Sequence, residues 1–162
     1  FSNGGAKVET NAGRLAWNGE RYNAFTISAR DCAIPNLMPV TGGLLRLDIS
    51  GDCTIDGGGE PCFNGFDCVL ITGDGTLTCP ALWLQNATLV VKGDTLHVTG
   101  DCSIEKGSVT VEGGTLILDS GLWLGEGDVT VAGGEIVVPG GEDALCLDKG
   151  RVTINGGTIR EP

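Results

Sequence analysis

The chain has 162 residues, the size of one domain, with 41% apolar residues, only 5% aromatic ones and 28 glycines. Its 21 acids against 10 Lys and Arg leave a net charge of −11, which argues against a nucleic-acid partner, since phosphate binding needs a cationic footprint. No stretch approaches the roughly 20 apolar residues of a membrane span, so membrane insertion is not expected, and the acidic balance fits a secreted or cell-surface protein, one that gathers cations through its carboxylates, or simple solubility.

In chain order, residues 1–24 carry no repeat. They include Trp17 and Tyr22 and are expected to cap a solenoid whose end would otherwise expose unpaired strand edges. From residue 25 one phrase recurs. Weak copies begin at Phe25, Leu47, Val69 and Leu89, and clear ones at Val109 (VTVEGGTL), Val129 (VTVAGGEI) and Val152 (VTINGGTI), so the starts step by 22, 22, 20, 20, 20 and 23 residues. Within a copy, apolar residues alternate as in a strand with one buried face, a glycine corner follows, and a second alternating strand comes after it. A third short strand precedes each start: Cys62-Phe63-Asn64, Leu82-Trp83-Leu84, Cys102-Ser103-Ile104, Leu122-Trp123-Leu124 and Leu145-Cys146-Leu147. Three short strands in about 20 residues make one rung of a β-helix. The expected fold is all-β, a single right-handed parallel β-helix of about six to seven rungs over residues 25–162.

Stacking turns each repeat position into a column. If Leu82, Leu84, Leu122 and Leu124 point inward, then Thr41, Phe63, Trp83, Ser103, Trp123 and Cys146 point outward. Phe63, Trp83 and Trp123 are therefore the candidate ligand-binding residues. Trp83 and Trp123 would lie two rungs, roughly 10 Å, apart, a spacing at which indole faces can stack on alternate rings of an extended polysaccharide. The other reading is that a loop, a cap or a second subunit covers the rings. His97, Ile117 and Val137 form a second outward column, apolar enough to suggest self-association into a homo-oligomer.

Seven cysteines leave one unpaired in a monomer. Cys62 and Cys102 share a core column, and Cys32 and Cys53 occupy equivalent positions of adjacent rungs. They read as stacked core thiols, or as disulfides, with Cys32–Cys53 and Cys68–Cys79 the pairs to test. Asp52, Asp74 and Asp94 recur at the first corner, and Glu142 and Asp143 follow Gly140-Gly141. These carboxylates read as turn formers or as oxygen ligands for Ca²⁺. Catalysis is not expected: the single histidine, His97, has no nucleophile assigned beside it, and no acid pair stands in a glycosidase-like arrangement.

The run Gly141-Glu142-Asp143-Ala144-Leu145-Cys146-Leu147-Asp148-Lys149-Gly150-Arg151-Val152-Thr153-Ile154-Asn155-Gly156-Gly157-Thr158-Ile159 resembles the parallel β-helix proteins of Firmicutes bacteria described as carbohydrate-binding domain-containing. Their rungs read approximately DDAI…GxLTINGGTI. The resemblance is good over the last two rungs, loose over 41–140 and absent over 1–40. It implies a pectate-lyase-like superfold, polysaccharide binding and, in some members, bound calcium; Glu142 and Asp143 fall on the family's acidic pair and would carry any metal role. The expected function is a non-catalytic extracellular module that binds polysaccharide through the aromatic column. The alternative is a structural, adhesin-like or self-assembling surface solenoid.

Overall fold

The computed structural model describes residues 6–17, 20–36, 43–56, 61–139 and 144–162. Apolar alternation broken by glycine corners yields sixteen strands among them. In chain order they are β1 (Ala6–Trp17), β2 (Glu20–Arg30), β3 (Ala33–Pro35), β4 (Leu44–Ser50), β5 (Asp52–Asp56), β6 (Cys68–Gly73), β7 (Thr76–Cys79) and β8 (Leu82–Leu84), then β9 (Ala87–Lys92), β10 (Thr95–Val98), β11 (Cys102–Val111), β12 (Thr115–Leu118), β13 (Leu122–Val131), β14 (Glu135–Val137), β15 (Leu145–Ile154) and β16 (Thr158–Arg160). One sheet runs β1-β2-β4-β6-β9-β11-β13-β15, with β8 also paired to β11, and the other runs β3-β5-β7-β10-β12-β14-β16. The protein is an all-β parallel solenoid of about six turns. Among the described residues no helix is long and apolar enough to cross a membrane.

The later rungs differ from the three separate strands expected. The third strand runs straight on into the first, giving the ten-residue strands β11, β13 and β15. The joint is a bend at glycine: Gly107 and Gly127 adopt φ of +142° and +143°, and a Cβ on Gly127 would sit 1.6 Å from the Gly107 carbonyl oxygen. Only a residue without a Cβ turns the chain there.

The register corrects one repeat boundary. Phe25 pairs with Leu45, not Leu47, and Leu45 with Val69, so the first two steps are 20 and 24 residues. Leu45, Leu47 and Ile49 alternate with polar residues, and a slip of two keeps the same face inward; the letters alone do not choose between the registers. At the N-terminal end, β1 lies antiparallel along β2, from Ala6 opposite Ala29 to Trp17 opposite Glu20. β2 itself begins five residues before the expected start of the repeat.

The core is a set of stacked columns. Ile27, Leu47, Ile71, Val91, Val111 and Val131 form one, and Leu77, Leu96, Leu116 and Ile136 another, all fully buried. Burial of each such side chain contributes about 1.5–3 kcal/mol. The last described rung is more open, with Ile154 51% exposed and Leu147, Val152 and Ile159 only partly covered. Arginines of that rung reach to the rung beside it: Arg151 Nε donates to Asp128 at 3.0 Å and Arg160 Nε to Glu135 at 2.8 Å.

Candidate functional site

The aromatic face is built by register. Trp83, Ser103, Trp123 and Cys146 stack one on another in successive rungs. Their neighbours Leu82, Leu84, Ile104, Leu122 and Leu124 are buried, so strand alternation turns the middle residue outward. Trp83 is 36% exposed and Trp123 41%, two strand spacings apart, or about 10 Å along the stack. Gly125 lies against the Trp123 ring: a Cβ there would stand 3.0 Å from the indole Cη2 and 2.7 Å from the Glu105 carbonyl oxygen. Beside it is a groove of about 280 Å³ lined by Asp101, Cys102, Ser103, Ser120, Gly121, Leu122, Trp123 and Cys146. A carboxylate and two hydroxyls, of Asp101, Ser103 and Ser120, line the same groove as the ring.

Phe63 does not belong to this face. It is 2% exposed and adopts φ +63°. Its segment makes one bridge, Cys62 to Leu82, and then turns. Alternation holds only along a strand, and the left-handed backbone at Phe63 takes its ring into the core beside Phe66. The following Asn64-Gly65 is the signal for that turn. Thr41 lies outside the described residues.

The second outward column is corrected too. Val137 is 5% exposed, because Arg160 stacks on it and lays its long stem there while bonding Glu135. Ile117 is half-buried, and His97 Nε2 lies 2.9 Å from Asp119 Oδ1. The contiguous apolar strip expected of this face is absent.

The corner acids do not form a column. Asp52 pairs with Thr76, and Thr95 also pairs with Thr76, so Asp94 stacks on Gly75, while Gly93 stacks on Gly73 and Asp74 is the extra residue of its corner. Corners of unequal length put the three acids at three different positions. Among the described residues no group of three or more His, Cys, Asp or Glu is placed to hold a metal. Glu142 and Asp143, the residues expected to carry Ca²⁺, lie outside the described residues. A second groove, of about 680 Å³, follows the corner past Ser28, Arg30, Asp48, Ser50 and Asp74. It mixes both signs of charge and has no aromatic wall.

Asp94, read from the sequence as a turn former or an oxygen ligand at the corner, is buried. It occupies the position that is Gly114, Gly134 and Gly157 in the following rungs. Its side chain is 3% exposed, and neither carboxylate oxygen has a hydrogen-bond partner. Burial, with the nearby Asp48 charge adding to it, raises its pKa to about 7.

The cysteines divide by face. Cys62 and Cys102 both pair with Leu82 and share the expected core column. Cys68 alternates with core-facing Val69 and lies on the outer face of β6, where burial and Asp67 raise its pKa to about 11. Cys79 faces the core, so the expected Cys68–Cys79 pairing fails. Its thiol instead donates a hydrogen bond to the Cys62 sulfur, which raises the pKa of Cys79 and lowers that of Cys62.

Set beside known proteins, the chain matches no family model, no curated sequence and no solved structure.

Proposed function

We propose that this solenoid is a non-catalytic, extracellular or cell-surface module that binds an extended polysaccharide on the face carrying Trp83 and Trp123. The observation that carries the reading is two exposed indoles in one column, Trp83 and Trp123. An exposed indole offers apolar area and a weakly negative π surface to the C–H groups of a pyranose. Asp101, Ser103 and Ser120, at the edge of the Trp123 groove, would exchange hydrogen bonds with sugar hydroxyls. An extended chain advances by roughly one strand spacing per ring, so alternate rings would meet the two platforms. The carbohydrate-binding β-helix family that the last two rungs resemble points the same way. Calcium at Glu142 and Asp143 belongs to this reading as an accessory that orders the corner.

The test is retention on insoluble polysaccharide. The double variant Trp83→Ala, Trp123→Ala should lose retention while its melting temperature stays close to that of the parent, since substitutions at exposed sites change stability by roughly 0.5 kcal/mol or less. Unchanged retention would remove the platform from the account.

A further inference from the structure

The core thiols are arranged in pairs for which neither the solenoid nor the proposed binding face has a use. Cys62 donates its amide to the Ala81 carbonyl at 2.8 Å and bridges to Leu82, which sets it one rung from the end of β7, where Cys79 lies. Both are buried in the same core cluster, and each is the other's strongest electrostatic neighbour. Cys32 and Cys53 make a second pair. The Thr54 amide donates to the Cys32 carbonyl at 3.1 Å, and Ala33 pairs with Thr54, so Cys32 stacks on Cys53. Neighbouring strands are ~4.8 Å apart, inside the ~4.4–6.8 Å range of Cα separations that a disulfide spans. Both side chains pack on the core.

We infer that Cys32–Cys53 and Cys62–Cys79 are covalent cross-link sites, each closing to a disulfide between adjacent rungs by exchange with a small-molecule disulfide such as oxidised glutathione. Half-buried Cys32 is the point of entry for the first pair, since Cys53 lies behind it. The Cys32 thiolate attacks one sulfur of the reagent and expels one small thiolate. The Cys53 thiolate then attacks the Cys32 sulfur of the mixed disulfide and expels the second. The reagent gains two electrons, the protein pair loses two, and the two protein protons end on the two small thiols. Cys62 and Cys79 are both buried, so their exchange takes place during folding, before the rung closes over them.

The position of the pairs gives them a role. Both lie in the N-terminal half of the solenoid, and Cys62–Cys79 joins the two rungs that begin at Leu45 and Val69, 24 residues apart. Such cross-links stabilise the fold by constraining the denatured chain. Such bonds persist in oxidising compartments, which agrees with an extracellular location but does not depend on sugar binding.

The experiment uses the full chain with Cys146→Ser, because the exposed Cys146 thiol would otherwise join two copies. The protein is folded in a glutathione redox buffer, its free thiols are alkylated without reduction, and it is cleaved before aspartate. Cleavage at Asp48, Asp52, Asp56, Asp67, Asp74, Asp94 and Asp101 places each remaining cysteine on its own peptide. The expected result is two linked pairs, Cys32–Cys53 and Cys62–Cys79, with Cys68 and Cys102 alkylated and the melting temperature lowered by a reductant. Alkylation of all six thiols, or linkage of Cys79 to Cys68 or Cys102, would overturn the assignment.

Discussion

Asp94 puts a carboxylate where the later rungs have glycine, and it is the residue most exposed to pH. Its pKa is raised from 3.8 to about 7 by burial, so the folded state holds the proton more tightly than the unfolded chain. Stability from this group is therefore full below the ordinary carboxylate pKa and is lost as pH rises through about 7. Asp94→Asn should flatten the stability profile between pH 4 and pH 7 and raise stability at pH 8 by on the order of 1–3 kcal/mol. Urea denaturation at pH 5 and pH 8 measures it; a parent chain more stable at pH 8 than at pH 5, unaltered in slope by the substitution, would contradict this sign. Trp83 and Trp123 were readable from the sequence because they sit between leucines that must be buried. Phe63 sits beside Cys62 in what looks like the same phrase, yet its strand stops after one bridge. The closeness of the Trp123 ring to Gly125 was not readable at all, since it depends on how the indole lies along its own strand.

Among the elements, the long strands carry the fold and the glycine joint limits them. In Gly127→Ala the new methyl would have to displace the Gly107 backbone, and its φ of +143° strains any L residue. The expected loss is more than about 2 kcal/mol, read as a lower denaturation midpoint. Arg160→Ala breaks an exposed pair with Glu135 and uncovers Val137, and should lower the midpoint by less than Gly127→Ala does. Equal losses in the two variants would mean that ion pairs, not backbone geometry, hold the last rungs. Alternation and glycine corners made the strands themselves readable. Register was readable where the step is a constant 20 and failed at Leu45 and Leu47, where two choices bury the same face. The acids at unequal corners misled for the same reason: a column exists only where the spacing between rungs is constant.

As a whole molecule, a solenoid is a stack of near-neighbour interfaces, and a complete rung can be removed without loss of the rest. Deleting residues 85–104 joins Leu84 to Glu105, which occupies the same rung position as Gln85. The shortened chain should fold with a lower melting temperature and bring Trp83 and Trp123 to adjacent rungs, about 5 Å apart. If alternate sugar rings use the two indoles, this folded variant should bind polysaccharide at least tenfold more weakly; undiminished binding would mean that the spacing plays no part. The repeat made the architecture evident because every rung restates the same burial pattern. Function is written once, on a single face, and no repetition reinforces it.

The most direct measurement is tryptophan fluorescence of the intact protein titrated with soluble polygalacturonate, xylan and cello-oligosaccharides, with and without Ca²⁺. The account predicts a saturable shift with at least one of these glycans, reduced by Trp83→Ala or Trp123→Ala and abolished when both are replaced. No shift with any glycan, while both indoles remain open to a soluble quencher, would contradict it.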